Sequence, residues 1–486
     1  MQAVSISRKR FVRSERSAKR HAPCGVLFKK YPLELGTGNR VHHSRNFAYQ
    51  RDTMEGMTID QLASDILSEC TLMQRYCQTT GIALPSLLAG ATPDFWSTDS
   101  PQELIAARTR TLGLLERITT LLRGPHDFIH EYVASNWDQG ALYVFLRTRL
   151  LEHIAVLGGE ANIGNLATAS GVPEDKLIRI LGLLCCKNIV RQSDNGIYAL
   201  TAISEDMIQD PDFRAWVEFQ LFETRIASVH LADALESKPN TYTDGKSAFK
   251  QGFGVEMYEW HTSHPEEGDR FRRAMKGVSN SLDPADSLIR TWIKNRPSSN
   301  LTKVVEIGGR YGFASTTLVR EKEDLSFELR CDSEEFLRRG QALVDPRSMS
   351  RISFTHLTSN FEPPPPSDAN TVCAYVIRNL FWNWTDDEAV RLLQQLAQIL
   401  HGSPWTHIIV TDGVSPLPGE FPPHVEISYR RRDITTMTMH NVKQRSQEEW
   451  LKLFSRVDPA LKITTHFESS SHVCKGLWEL RLETGE

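Results

Sequence analysis

The sequence lacks the features that would place it in a membrane or around a metal ion. No apolar run in its 486 residues reaches the roughly 20 residues needed to cross a bilayer. The eight cysteines are scattered, and none has the spacing of a zinc site, so we expect no metal and reduced cysteines in a cytoplasmic protein. A formal net charge of −4 gives no reason to expect a nucleic acid or a membrane as partner.

Acidic residues are nearly absent from the first 20 positions, which are strongly basic. Glu15 is the only acid there. The basic residues of this stretch are Arg8, Lys9, Arg10, Arg13, Arg16, Lys19 and Arg20. Because the stretch has no clear apolar face, we predict that residues 1–53 form a disordered basic extension rather than a transit peptide. Translation that begins later, at Met54 or Met57, is a further alternative.

Residues 54–285 have the apolar spacing of helices. Apolar side chains recur there at three- and four-residue steps, which places them on one face of a helix. Two such sets are Ile59, Leu62, Ile66 and Leu67, and Leu112, Leu115, Ile118 and Leu121. Gly124-Pro125 is expected to break the second helix. This part of the chain is therefore predicted to be a mostly helical domain.

Within that part, residues 162–201 have the order helix, turn, helix and hairpin of a winged helix. Helices are predicted over Ile163–Ala169 and Glu174–Cys186, and Asn195-Gly196 is a strong hairpin signal. The second helix begins with two acids and has an apolar centre, whereas a DNA-reading helix presents a basic face. We therefore expect the winged helix to pack against protein.

Residues 303–332 have the order of a nucleotide-binding βαβ unit. A short run of β-formers, VVEI, is followed by the turn GGRYG at 308–312, a helical segment and a second strand that leads to Asp332. Glycines in such a turn let the backbone approach a ligand, and the acid can accept hydrogen bonds from ribose hydroxyls. An ordinary turn that binds nothing is the alternative.

The remaining sequence alternates strands and helices. Strands are predicted at 352–354, 371–376 and 406–411, and a helix over 387–400. This alternation predicts an α/β fold with a doubly wound sheet over residues 286–486. Ligands of such sheets lie beyond the carboxyl ends of the strands.

The pattern E-x-G-G-x-x-G, followed by a strand that leads to Asp, resembles motif I of S-adenosyl-L-methionine (SAM)-dependent methyltransferases. The order and spacing of segments over residues 58–482 resemble those of fungal and plant class I O-methyltransferases. This resemblance implies a C-terminal Rossmann-like SAM-binding domain, an N-terminal winged-helix dimerisation domain and a homodimer. The cofactor-binding residues that it implies are Glu306, Gly308, Gly309, Gly312, Asp332, Asn360 and Phe361. Arg310 replaces a glycine of the motif, and Asn360 replaces the acid that usually holds adenine.

Aromatic and soft side chains are concentrated shortly before the cofactor motif. Such a concentration suits a chamber for an apolar substrate, and residues 247–279 resemble the segment that lines this chamber in fungal O-methyltransferases. The candidate substrate-lining residues are Trp216, Phe219, Phe222, His230, Met257, Tyr258, Trp260 and Met437. For each of them alone, an ordinary place in the core is the better explanation.

The catalytic base of the family is missing from its usual loop. That loop reads approximately H-D-W-S-D-E in these enzymes, and here Trp382 and Asn383 replace the His and the Asp. An indole nitrogen donates hydrogen bonds but cannot accept a proton, and no histidine lies between His356 and His401. Gly413 and Gln444 stand where two acids usually orient the base.

The loss of the whole relay favours a chemistry that needs no strong base. In this respect the chain resembles the SAM-dependent pericyclases of fungal polyketide and pyridone alkaloid pathways. Those enzymes couple dehydration to Alder-ene or hetero-Diels–Alder closure and retain SAM. The candidate catalytic residues are Trp382, Asn383, His440, Asn441 and Arg310. Candidates for acid–base help in a dehydration are His126, His130, His230 and His261.

Two alternatives remain open. One is a true O-methyltransferase with an unusual base, for which His440 is the best substitute. The other is an inactive paralogue that binds a metabolite. An imidazole or carboxylate on the cofactor-facing wall beside Trp382 would contradict the pericyclase interpretation.

Overall fold

The computed structural model describes most of the chain from residue 56 onward. The described ranges are 56–91, 96, 100–193, 195–237, 247–282, 287–294, 301–308, 312–331, 334–357, 372–402, 406–468 and 475–482. The predicted extension at residues 1–53 lies outside them. All described residues belong to one compact unit, residues 48–486, so the domain boundary near residue 285 stays a prediction.

The first half of the described chain is helical, as predicted. Its helices are α1 (Ile59–Thr80), α2 (Gln102–Arg147), α3 (Leu150–Val156), α4 (Ile163–Ser170), α5 (Glu174–Cys186), α6 (Ala202–Gln209), α7 (Pro211–Phe219), α8 (Arg225–Val229), α9 (Leu231–Ser237), α10 (Ala248–Phe253), α11 (Met257–Ser263), α12 (Pro265–Leu282) and α13 (Ser287–Lys294). Gly124 has φ +67° and ψ 174°, so the predicted break lies inside α2, and helix resumes at Pro125. None of the helices in the described part of the chain is long and apolar enough to cross a membrane.

The winged helix is confirmed. Strands β1 (Glu160–Asn162), β2 (Val190–Gln192) and β3 (Ile197–Leu200) form an antiparallel sheet in the order β1-β3-β2 beside α4 and α5. Leu177, Leu181 and Leu184 of α5 are buried in one core cluster with Phe145 of α2. The apolar face of α5 therefore packs inside the protein, as its sequence indicated.

The second half forms a seven-stranded sheet. Its strands are β4 (Lys303–Ile307), β5 (Ser326–Cys331), β6 (Ile352–His356), β7 (Cys373–Arg378), β8 (His407–Gly413), β9 (Leu461–Glu468) and β10 (Lys475–Leu482). The order is β6-β5-β4-β7-β8-β10-β9, with β4 to β8 parallel and the pairs β8/β10 and β10/β9 antiparallel. The predicted Rossmann-like α/β fold is confirmed. Because the strand order reverses beside β4, the ligand crevice of this sheet opens at the carboxyl ends of β4 and β7.

Helices cover both faces of the sheet. The helices of this half are α14 (Phe313–Glu321), α15 (Glu334–Ala342), α16 (Asp386–Gly402), α17 (Pro423–His440) and α18 (Gln447–Ser455), of which α17 packs on α2, α8 and α10 of the first half. Successive residues of β4 enter different clusters, Val304 with Trp292 of α13 and Val305 with Trp450 of α18. Burial on both faces explains why this strand reads as a continuous apolar run.

Candidate active site

The turn after β4 requires glycine at both of its described ends. Gly308 has φ +70°, and a Cβ built on it would lie 2.7 Å from the side chain of Leu380. Gly312 has φ +59° at the N-terminus of α14, and its Cβ would lie 2.7 Å from Leu329. A side chain at either position would be strained and would clash, so the backbone stays bare where a cofactor approaches.

Glu306, at the end of β4, links this strand to the helix that follows the turn. Its buried carboxylate accepts hydrogen bonds from the Ser315 backbone N–H at 3.0 Å and from the Ser315 hydroxyl at 2.5 Å. The contact ties the end of β4 to the first turn of α14, which brackets the glycine turn. The other predicted cofactor residues, Gly309, Asp332, Asn360 and Phe361, and the candidate Arg310 lie outside the described residues.

A buried arginine fixes the loop that follows β7. The Arg445 guanidinium donates to the Phe381 carbonyl at 2.6 Å and the Trp384 carbonyl at 2.7 Å, and it pairs with the Asp386 carboxylate at 2.7 Å. Arg445 is 2% exposed, and its five donors suit such a fork of acceptors. Sequence reasoning missed this residue, because nothing in the sequence links position 445 to the 381–386 loop.

Asp412 holds the same loop from the neighbouring strand. Its carboxylate accepts hydrogen bonds from the Trp382 backbone N–H at 3.1 Å and the Gly413 N–H at 2.7 Å. Burial raises the pKa of the Asp412 carboxyl to about 6, although the two N–H groups and the nearby Arg445 oppose the shift. With Arg445, this contact fixes the backbone at the position of the missing base.

Four of the predicted site residues meet at this loop. The Asn383 amide Nδ2 donates to the Tyr258 hydroxyl at 2.5 Å, so the loop is joined to α11. The Tyr258 ring stacks on His440 with centroids 5.2 Å apart. The Trp382 ring stands edge-on to His440, with centroids 6.1 Å apart. The structure therefore brings an imidazole beside the indole, although none was predicted from the loop itself.

The two positions that lack their usual acids are in contact. A Cβ built on Gly413 would lie 3.1 Å from Oε1 of Gln444, which is 7% exposed. The Gln444 amide thus occupies space that a side chain at position 413 would need. Its Nε2 makes no hydrogen bond within the described part of the chain. Where the family has two acids, this chain has the neutral amide of Gln444 and, at Gly413, no side chain.

Asn441 and Met437 form the end of α17. Asn441 has φ +55°, and its N–H donates to the Met437 carbonyl at 2.9 Å, so it is the left-handed cap of the helix. This cap fixes the direction of His440, the last residue of the helix. A catalytic role of Asn441 and a lining role of Met437 stay predictions.

Most candidate lining residues lie in a packed aromatic cluster. Phe219, Met257 and Trp260 are buried in it, and Trp216 and Phe222 pack against its side. His230 contacts α10, since its ring carbon is 2.8 Å from the position of a Cβ on Gly252. Tyr258 contacts the loop after β7 through its hydroxyl. The lining role of the others stays a prediction.

Comparison with known proteins identifies the family. The O-methyltransferase domain family matches residues 229–457. The O-methyltransferase phnC of Penicillium herquei is 38% identical over 419 residues, which are 84% of this chain and 97% of phnC. The chain belongs to the SAM-dependent O-methyltransferase family. Membership confirms SAM as the predicted cofactor, and Gly308 and Gly312, where a side chain would clash, fit its approach.

Solved structures share the fold. The structure of LepI in complex with SAM has a TM-score of 0.64 at 18% identity and covers 87% of this chain and 100% of LepI. A structure described as a pericyclic reaction enzyme has a TM-score of 0.65 at 17% identity, with the same coverage of 87% and 100%. At these identities the similarity shows the fold alone.

Proposed function

We propose that this enzyme is a SAM-dependent pericyclase of fungal secondary metabolism. It acts on a polyketide or pyridone alkaloid intermediate, couples dehydration to Alder-ene or hetero-Diels–Alder closure, and retains SAM unconsumed. The contact between Gly413 and Gln444 carries the proposal. Because a neutral amide fills the space of the two acids, no carboxylate at these positions orients a base at position 382.

The loop after β7 is suited to holding and polarising a substrate. A pericyclic step needs one bound conformer and hydrogen-bond donors aimed at a carbonyl, and it needs no strong base. Trp382 offers an indole N–H, and Asn383 and Tyr258 offer polar groups held by a 2.5 Å hydrogen bond. Arg445 and Asp412 fix the loop backbone, so these groups are oriented before the substrate binds.

SAM has a supporting role in this proposal. When bound, it supplies a positively charged sulfonium whose field can polarise an electron-rich substrate. The residues of this chain that would hold it include Gly308 and Gly312, whose bare backbone admits the ligand, and Glu306, which supports the turn. Arg310, Asp332 and Asn360 are further predicted contacts from the sequence.

An O-methyltransferase with an unusual base is the second candidate. The observation that favours it is the imidazole of His440, which lies edge to face with Trp382 and stacks on Tyr258. An imidazole beside Trp382 is the group named above as counting against the pericyclase, so the pericyclase proposal requires that His440 takes no proton from the substrate. The relative phnC is also named an O-methyltransferase. In this candidate His440 would take the proton from the acceptor hydroxyl. An inactive paralogue that binds a metabolite is the remaining alternative.

One incubation distinguishes the three. The full-length protein is mixed with SAM and the intermediate that accumulates in a strain lacking this gene. A dehydrated and cyclised product without S-adenosylhomocysteine supports the pericyclase. Methylated product with S-adenosylhomocysteine supports the methyltransferase. Neither product, with the intermediate still bound, supports the inactive paralogue.

We further propose that the protein is a homodimer in the cytoplasm. From Leu122 onward α2 exposes large apolar side chains, with Leu122 67%, Tyr132 68%, Val133 62% and Trp137 71% exposed. Apolar side chains this exposed on one helix favour a covering partner, and a second copy is the partner that the family resemblance implies. The described cysteines are all free thiols, which favours a reducing compartment.

A further inference from the structure

A histidine, a glutamate and an arginine are buried together beside the aromatic cluster. Glu223 is fully buried in a π-helical turn, residues 220–224, between α7 and α8. Its Oε1 accepts a hydrogen bond from the Arg270 guanidinium at 2.6 Å and lies 3.7 Å from Nε2 of His261. Single π-helical turns are uncommon and are frequent at functional sites.

Four polar atoms of this group have no hydrogen-bond partner within the described residues. They are both ring nitrogens of His261, Oε2 of Glu223 and Nε of Arg270. The His261 ring is stacked on Phe271 at 4.6 Å and stands edge-on to Trp260 at 5.3 Å, and neither ring face replaces a hydrogen bond. Because unpaired buried polar atoms are costly, four in one place indicate a polar ligand group that binds there.

The group is close to the loop after β7. Tyr258 and His261 are three residues apart on α11, so they lie on the same face of the helix with Cβ atoms about 5–6 Å apart. Phe271 contacts both, with ring centroids 6.1 Å from Tyr258 and 4.6 Å from His261. One face of α11 thus carries two polar side chains that both contact the Phe271 ring.

We propose that His261 and Glu223 form a second polar subsite, which binds a hydroxyl group of the substrate. The His261 ring nitrogens and the free Glu223 oxygen offer a donor and acceptors to this hydroxyl. The Arg270 guanidinium balances the charge of Glu223. The substrate class is a flat apolar molecule with a polar group at each end, one at Tyr258 and Asn383 and one at His261. This subsite deepens the proposed function and rests on it for the identity of the chamber.

The other acid–base candidates among the histidines do not form such a site. The His126 side chain is 92% exposed, and His130 is exposed. His230 is 3.8 Å from Asp233 on the partly exposed side of α8 and α9. His261 is the one of the four that is buried beside a buried carboxylate.

Matched aromatic probes test the subsite without turnover. Calorimetry measures the Kd of naphthol and of a panel of dihydroxynaphthalene isomers for the full-length protein with SAM. We expect at least one dihydroxy isomer to bind about five- to tenfold more tightly than naphthol, as one added buried hydrogen bond gives. In His261→Leu and in Glu223→Gln this gain disappears, while the affinity for naphthol stays.

The control is His126→Leu, which changes an exposed histidine and keeps the gain. Thermal melting shows whether each variant is folded, and either variant alone is a sufficient test. The proposal is overturned if no isomer gains affinity, or if folded His261→Leu keeps the gain; a buried water would then account for the unpaired atoms. Because no product is measured, this result is independent of whether the enzyme cyclises or methylates its substrate.

Discussion

The side-chain amide of Asn383 donates a hydrogen bond to the Tyr258 hydroxyl across 2.5 Å, and this contact joins the α/β sheet to the helical half of the chain. Asn383 lies in the loop after β7, at the carboxyl edge where the cofactor crevice opens. Tyr258 lies on α11, within the aromatic segment. The bond therefore sets the distance between the cofactor side and the substrate side of the candidate active site.

Tyr258→Phe removes this bond and leaves the Asn383 amide without it. We expect the free energy of unfolding to fall by about 1 kcal/mol, because a half-buried amide loses its partner. Product formation should fall more than tenfold, since the loop and α11 are no longer tied. Urea unfolding and a product assay measure the two effects. Tyr76→Phe, on α1, is the control and should change neither; an active Tyr258→Phe enzyme would show that the tie is dispensable.

Trp382→His returns an imidazole to the position of the usual base. The backbone there is already fixed by Asp412, so the new side chain should be placed without refolding of the loop. We expect a changed ratio of cyclised products without strong methylation, because Gly413 and Gln444 supply no acid to orient the imidazole. Chromatography of the products measures this. Trp382→Phe, which keeps a ring and loses the N–H, separates shape from hydrogen bonding. Efficient methylation by Trp382→His alone would mean that the missing acids do not matter.

Arg445→Lys tests the clamp on the loop. One ammonium cannot replace the guanidinium contacts to Phe381, Trp384 and Asp386, so buried carbonyls lose their donors. We expect a loss of about 3 kcal/mol in the free energy of unfolding. The control is Arg456→Lys, whose 46% exposed side chain pairs with Asp387 at the surface and should matter little. Equal losses in the free energy of unfolding for the two substitutions would contradict a stabilising role of Arg445 at this loop.

Asp412 predicts a dependence of stability on pH. Burial raises its pKa from 3.8 to about 6 in the folded protein, so between these values the folded state holds a proton that the unfolded state has lost. Stability should therefore fall as pH rises from about 4 to about 6, by about 3 kcal/mol, and change little above. Other acids titrate in the same range. The test therefore compares the free energy of unfolding of the wild type with that of Asp412→Asn, measured in urea at about pH 4 and at about pH 6. A difference that does not change with pH would contradict the raised pKa.

The exposed apolar side chains of α2 from Leu122 onward predict that the protein forms a dimer. Trp137→Glu and Leu122→Glu place charges on the proposed interface and should convert a dimer to a monomer, which light scattering after size-exclusion chromatography detects. Leu451→Glu is the control, because Leu451 is a 45% exposed leucine on α18. A wild-type monomer, or a dimer that survives both charges, would reject α2 as the interface.

The fold could be predicted from the sequence because its signals are local. The apolar run of β4, the glycine turn and the Asn-Gly hairpin each determine their own backbone, and their order determines the sheet. The candidate site could be predicted in part, since the replacement of a His by Trp382 is visible along the chain. His440 and Tyr258 could be predicted as site residues, but their contacts with the loop could not, and Arg445 was missed, because all three reach the loop from other elements.

The residues on which the two proposals depend, Gln444 and Glu223, have no local sequence signal for the contacts that they make. Gln444 was recognised as a replaced acid, but its contact with Gly413 depends on how β8 and the segment after α17 pack. Glu223 was not recognised, because a lone glutamate in a helical segment reads as a surface residue. Its burial comes from the π-helical turn, for which the sequence has no signal.

The most direct test of the central claim is one turnover experiment with SAM that carries a deuterated methyl group. The full-length protein is incubated with this SAM and the intermediate from the strain that lacks the gene, and mass spectrometry follows both. The account predicts a product that is lighter by one water and carries no deuterium, with the SAM pool unchanged. A product that gains the labelled methyl group, with one S-adenosylhomocysteine formed for each molecule, would contradict it.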